Sequence, residues 1–244
     1  FSRHFSYAKL ARQFMRFRLS GPMIGFAIPQ NLNMTFSTFI TNLDVVMLGY
    51  FGFKAELIGF YGMGAQIVRN VRQVKLAFSG AYAPVIARLH AQNDTDGMND
   101  SFSMVSRWTT TLALPISLIV VFFRQELVQL FHGSFTGDTT FMLLLLVPPL
   151  LSCSVGLAGN IIVMTGHSVW NLINSVTVAG LNLALNYWLI PKFMLYGDAY
   201  GLVGAALATA IAATTISIAQ LVEARMLIGA RILLSQVYKP WLAA

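Results

Sequence analysis

Six long apolar stretches dominate this chain, and each is long enough to cross a lipid bilayer as a helix. The chain is 56% hydrophobic and only 10% charged, which is the composition of a polytopic membrane protein. The sequence therefore predicts an all-α integral membrane protein with a six-helix transmembrane bundle. The six stretches are Gly21 to Leu48, Leu57 to Leu89, Met104 to Phe123, Thr140 to Met164, Val169 to Ile190 and Gly201 to Val222.

Basic residues are distributed unevenly between the two sides of this predicted bundle. With a cytoplasmic N terminus, only Lys54, Arg124 and Lys192 lie outside. The larger inside group is Arg3, Lys9, Arg12, Arg16, Arg18, Arg88, Arg107, Arg225, Arg231 and Lys239. This asymmetry favours a multi-pass protein of the plasma (inner) membrane with both ends of the chain in the cytoplasm. The net charge of +7 is thus explained by topology, and we expect no nucleic-acid partner.

The same pattern divides the chain into three parts. Residues 1–19 are predicted to form a basic cytoplasmic segment along the membrane interface, and residues 20–222 the six-helix lobe. Residues 223–244 would be a cytoplasmic tail or the start of a further helix. Because the chain opens with Phe1 instead of Met, we expect it to be a piece of a longer protein.

Three cations interrupt the second apolar stretch. Arg69, Arg72 and Lys75 follow one another at three-residue intervals, with Gln66 beside them. On one continuous helix they would span roughly 120° and form one polar stripe. A cation inside a bilayer costs roughly 2.5 to 3.5 kcal/mol, so such residues normally face a bundle interior or a wet cavity and meet an anion there. We predict that they line a substrate cavity; pairing with acids elsewhere in the protein, or with lipid headgroups, is the alternative.

Other polar side chains at membrane depth are a carboxylate and several amides. Asp44, late in the first stretch, either pairs structurally with a cation of the second stretch or couples transport to protons or sodium. Asn182 and Asn186 are four residues apart, so they share one face of the fifth stretch. Interhelical hydrogen bonding is the first prediction for this pair, and cavity lining is the second.

The sequence has no motif for catalysis or metal binding. The apolar stretches contain no Gly-x-Ser-x-Gly turn, no Cys/His pair and no close pair of carboxylates. The acidic loop at residues 93–100 lacks the glutamate that ends a calcium loop, and Asp100 there resembles the start of a helix. We therefore expect no enzymatic activity, and we predict no catalytic residue, metal or cofactor.

Several motifs resemble a known superfamily. Residues 181–191, LNLALNYWLIP, and 201–209, GLVGAALAT, resemble the "LN…LN…LIP…G…GAA…AT" signature of the multidrug/oligosaccharidyl-lipid/polysaccharide flippase superfamily. Shorter matches occur in chain order at residues 43–51, 82–89 and 130–135. Within this superfamily, the cationic second stretch is more similar to polysaccharide flippases than to drug exporters.

This resemblance implies a fold of two six-helix lobes around a central cavity. The chain would be the C-terminal lobe, with the N-terminal lobe of the same protein and membrane lipid as its partners. The implied function is to move a polyprenyl-pyrophosphate-linked oligosaccharide from the cytoplasmic to the outer leaflet. Arg69, Arg72 and Lys75 would then meet the pyrophosphate, since Arg binds phosphate through a bidentate fork and Lys as a point charge.

Two other functions are weighed against this one. A multidrug cation antiporter of the same superfamily would depend on Asp44 and not on the basic residues. A membrane glycosyltransferase or polymerase that uses the same lipid carrier would need a catalytic carboxylate in an outer loop. The region from Phe123 to Asp138 offers only Glu126 and Asp138 for that role.

Overall fold

A computed structural model of the chain describes residues 21–131, 138–155 and 157–228. The described residues form helices joined by short turns and contain no strand, which confirms the all-α prediction. The predicted basic segment at residues 1–19 and the tail beyond residue 228 lie outside the described residues. In chain order the helices are α1 (Gly21–Tyr50), α2 (Ala55–Arg69), α3 (Arg72–Ala91), α4 (Thr95–Phe122), α5 (Arg124–Phe131), α6 (Thr140–Ser154), α7 (Ala158–Met164), α8 (Ser168–Met194) and α9 (Asp198–Ile228).

Four of the six predicted stretches correspond to one helix each. The first, fifth and sixth match α1, α8 and α9, and the third lies within α4 except for its last residue, Phe123. Helix α4 begins earlier than expected, at Thr95 and not near Asp100. The reason is that the Asp94 side chain accepts a hydrogen bond from the backbone N–H of Gly97 at 2.8 Å and so caps the helix.

Several helices are suited to a membrane by length and composition. Helices α4 and α8, together with residues Asp198–Met226 of α9, are each long and apolar enough to cross one. Helices α6 and α7 form a further candidate if the pair, bent by 52°, counts as one span. The other two predicted spans correspond to α1 and to α2 followed by α3.

The second predicted stretch is not one continuous helix. Helix α2 ends at Arg69 and α3 begins at Arg72. Between them, the backbone N–H groups of Asn70 and Val71 donate to the carbonyls three residues earlier, at 3.2 and 3.1 Å. These tighter turns interrupt the α-helical ladder near the middle of the stretch. The prediction of a single continuous helix is therefore wrong, although Asn70 and Val71 keep right-handed helical dihedral angles in the turn that joins α2 to α3.

The fourth predicted stretch is also divided, between α6 and α7. The helix stops at Ser154, which leaves the carbonyl of Cys153 without its usual helical donor. The hydroxyl of Thr109 on α4 donates to that carbonyl at 2.8 Å instead. A broken backbone is tolerated at membrane depth where a neighbouring side chain satisfies the freed group, and Thr109 does so here.

Apolar packing holds the bundle together in two clusters. One joins α1, α2, α6 and α9 and includes Leu48, Phe60 and Phe141. The other joins α3, α4, α7 and α9 and includes Phe102 and Ile161. The first cluster lies near the turns at residues 51–54 and 195–197. We call the end of the bundle where these two turns lie the Gly52 end.

Candidate functional site

The exposed surface of the bundle differs sharply from one helix to another. On α4 many of the exposed side chains are large and apolar, among them Met104, Trp108, Leu112, Ile116 and Ile119. Near the helix break, α2 and α3 expose the cation Arg72 together with three amide side chains, those of Gln66, Asn70 and Gln73. We call these three amide residues the amide face. Lipid tails offer no hydrogen bonds, so an amide surface within the predicted second span indicates a wet cavity or contact with other protein.

Arg69 lies beside the amide face and connects α2 to α1. Its Nε and Nη2 atoms donate to the side-chain oxygen of Gln66 at 3.2 and 2.8 Å. Its Nη1 atom donates to the backbone carbonyl of Thr41 on α1 at 3.3 Å. The guanidinium is therefore held by neutral acceptors, and no carboxylate among the described residues lies within ion-pair distance of it.

Arg72 and Lys75 begin helix α3 on the other side of the break. Arg72 is exposed, whereas Lys75 is half-buried and its Nζ atom donates to the Ser152 hydroxyl on α6 at 2.8 Å. Within the part of the chain that the structure describes, neither forms an ion pair. The three predicted cations thus surround the α2–α3 break, with Arg69 directed to α1, Lys75 to α6 and Arg72 to the open surface.

Asp44 lies at the centre of a buried polar cluster where α1, α2, α8 and α9 meet, with only 6% of its surface exposed. Its carboxylate accepts hydrogen bonds from Tyr61 Oη at 2.8 Å and from Asn186 Nδ2 at 2.9 Å. The Thr209 hydroxyl lies 2.7 and 2.6 Å from its two oxygens. Asn182 completes the cluster by donating to Thr209 at 2.8 Å and accepting from Asn186 at 3.0 Å.

The contacts in this cluster distinguish between the roles predicted for Asn182 and Asn186, and they show which group of the second span Asp44 contacts. Asn182 and Asn186 make interhelical hydrogen bonds in the interior and do not lie on the open surface. Asp44 contacts the predicted second span through the hydroxyl of Tyr61 and not through a cation. Among the described residues, no Lys or Arg lies within ion-pair distance of this carboxylate.

Sequence reasoning did not select four of the residues that the structure places at these two sites. Asn70 and Gln73 extend the amide face beyond Gln66, and their spacing of four and seven residues from it was a usable signal. Tyr61 and Thr209 join Asp44 from other helices, and no local pattern in the sequence marks them.

Comparison with known proteins is informative over the first part of the chain. The polysaccharide biosynthesis protein family matches residues 5–136, which is more than half of the chain and includes Asp44, the amide face and all three cations. No curated protein and no solved structure matches the chain. The apolar helices α4, α8 and α9, each long enough to cross a membrane, are consistent with membership of this family. The chain therefore belongs to the polysaccharide biosynthesis protein family.

Proposed function

We propose that this chain is the C-terminal lobe of a flippase that moves a polyprenyl-pyrophosphate-linked oligosaccharide across the membrane. The observation that carries this proposal is the exposed polar surface at the α2–α3 break, where three cations lack a carboxylate partner in the described residues. An N-terminal lobe of the same protein would close the cavity over this surface, with the lipid tail of the substrate in the surrounding bilayer.

The charge at the break suits a pyrophosphate. Arg72 is exposed at the first turn of α3, so its guanidinium is open to an anion at the break. Arg69 and Lys75 flank it, so an anion at the break meets cations from both helices. A cation at membrane depth is stabilised by a matching anion, and the substrate would supply one that the described part of the lobe does not.

The direction of transport is proposed from the topology of the chain. We propose movement from the cytoplasmic to the outer leaflet of the plasma membrane. With both chain ends in the cytoplasm, the Gly52 end would lie outside. Aromatic side chains at that end support a position at the membrane interface, since Trp and Tyr concentrate there. Tyr187 and Trp188 are exposed, and Lys192 Nζ lies 4.7 Å from the centre of the Trp188 ring.

Movement of a lipid between leaflets needs no covalent step, so the proposal assigns no catalytic residue, metal or cofactor. For the glycosyltransferase alternative, Asp138 is already engaged as a cap, because its Oδ1 accepts from the backbone N–H of Thr140 at 2.9 Å. The other acid, Glu126, is exposed on the short helix α5. This arrangement gives the enzymatic alternative no support.

Asp44 is proposed as a coupling residue. Its carboxylate is buried without a cation partner among the described residues, so a proton or a sodium ion would neutralise its charge. The same observation is the one that favours a multidrug cation antiporter as a second candidate. However, Asp44 lies behind Tyr61 and Thr209 in the interior, whereas the open surface carries cations, which would repel a cationic drug.

The test uses cells in which the full-length protein replaces its chromosomal copy. Arg69, Arg72 and Lys75 are each changed to Gln, and the lipid-linked oligosaccharide is quantified by mass spectrometry. We expect the lipid-linked unit to accumulate and surface polysaccharide to fall, most strongly for Arg72→Gln. The matched control is Arg88→Gln, an exposed cation of the same helix near its opposite end. Unchanged lipid pools in all three variants, at normal protein level, would refute the flippase and leave drug efflux dependent on Asp44 as the leading function.

A further inference from the structure

The amide face has hydrogen-bonding capacity that the protein itself does not use. Asn70 and Gln73 are exposed, and their side chains have no hydrogen-bond partner in the described residues. Gln66 has its oxygen occupied by two N–H groups of Arg69, which leaves its NH₂ group free to donate. Unsatisfied amides near the middle of the predicted second span would be costly against lipid, so their presence indicates a polar ligand or water at this surface.

The chemistry of this surface suits sugar hydroxyls better than it suits phosphate. A free amide offers two N–H donors and a carbonyl acceptor, and a hydroxyl can both donate and accept. A phosphate oxygen at neutral pH only accepts, and the neighbouring cations already satisfy that need. Asn70 and Gln73 therefore add the acceptor oxygens that Arg69, Arg72 and Lys75 lack.

The position of the amides relative to the cations defines what they would contact. Asn70 lies in the break itself, between Arg69 and Arg72, and Gln73 follows Arg72 directly. A headgroup whose pyrophosphate meets the cations would thus have its first sugars beside these amides. Asn182 and Asn186 do not compete for this role, since they are 1% and 0% exposed within the Asp44 cluster.

We propose that Gln66, Asn70 and Gln73 bind the sugar units next to the pyrophosphate and so contribute to the choice of glycan, while the cations hold the pyrophosphate whatever glycan it carries. This inference rests on the proposed flippase function. It assigns substrate affinity to two groups of residues with separable effects, one dependent on the sugar and one independent of it.

The test measures binding of two lipids to purified full-length protein in detergent. One is polyprenyl pyrophosphate without sugar, and the other is the glycan-bearing lipid extracted from cells that lack the protein. Asn70→Ala and Gln73→Ala should each weaken binding of the glycan-bearing lipid roughly fivefold, as expected for the loss of about one hydrogen bond, and leave the bare lipid unchanged. Arg72→Gln should weaken binding of both lipids.

Binding of the same two lipids to further variants gives the control, and it also gives the outcomes that would contradict the inference. Gln92→Ala removes an exposed amide at the C-terminal end of α3 and should affect neither lipid. Each variant is compared with the wild type by gel filtration and thermal midpoint, so that misfolding is recognised. Equal weakening of both lipids by the amide variants, or no weakening of the glycan-bearing lipid, overturns the inference while Arg72→Gln still supports the flippase. If neither lipid binds to the wild type, the proposed function itself fails, and this inference with it.

Discussion

Replacement of Thr209 by Val tests whether the Asp44 cluster stabilises the bundle through its hydroxyl. The two side chains have nearly the same shape, so the change removes the hydroxyl with little change in volume. Thr209 donates to the Asp44 carboxylate and accepts from Asn182 Nδ2 at 2.8 Å. Both bonds are lost in the variant.

The magnitude follows from these two bonds. A hydrogen bond to a charged group contributes about 1.5 to 3 kcal/mol in proteins, and interhelical bonds in membrane proteins average about 0.6 kcal/mol. Taking the low end for the bond to Asp44 and the average for the bond from Asn182, we expect Thr209→Val to lower the free energy of unfolding by about 2 kcal/mol. For a domain of this size that corresponds to a fall of about 4 to 8 °C in the thermal midpoint.

The assay can use the chain's one cysteine as its reporter. Cys153 is fully buried, so a thiol-reactive fluorescent dye labels it only when the lobe opens. Full-length protein is heated with the dye after any cysteine outside this chain has been changed to serine. Thr209→Ser keeps the hydroxyl and removes one methyl group, so it should lose only about 0.8 kcal/mol. If the Ser variant loses as much as the Val variant, or if the Val variant melts like the wild type, the hydroxyl does not have the role assigned to it.

Two further substitutions test the packing and capping of the bundle. Gly201→Ala would place a Cβ atom 2.7 Å from Cε1 of the buried Phe53 ring, so we expect a loss of about 1 to 3 kcal/mol in the same thermal assay. Gly180→Ala, which meets nothing within 4 Å, should cost nothing, and equal losses for the two variants would contradict the steric explanation. Asp94→Ala removes the cap of α4 and should cost about 1 kcal/mol, with faster amide hydrogen exchange in the first turn of that helix. Asp94→Asn keeps a capping oxygen, so exchange as fast as in the Ala variant would show that capping is not responsible.

The helical membrane class of this protein could be predicted from the sequence because it depends on local composition. An apolar stretch of about 20 residues has few alternatives to a helix in a bilayer, since every backbone N–H and C=O must be satisfied within the stretch. Four of the six stretches accordingly match single helices, and the resemblance of the motifs pointed to the family that the comparison then showed.

The positions of the helix breaks could not be predicted, because they depend on contacts between helices. No proline or glycine lies at Asn70 and Val71, where α2 gives way to α3. The break between α6 and α7 lies several residues after the Pro148-Pro149 pair and is stabilised by Thr109, which is 44 residues away in the sequence. Sequence spacing alone therefore predicted one continuous helix for Arg69, Arg72 and Lys75, whereas the structure divides them between two helices.

The sequence by itself determined that this chain is an all-α membrane protein whose apolar stretches contain cations and a carboxylate, because hydrophobicity and charge are properties of single residues and short stretches. Only the tertiary structure decided what those charges face. Asp44 accepts hydrogen bonds from Tyr61, Asn186 and Thr209 in the interior. Arg72, in contrast, lies on the open surface beside the amide face. The physical reason is that a buried polar group must find its partner in space, and the partners of Asp44 are as far as 165 residues away in the chain.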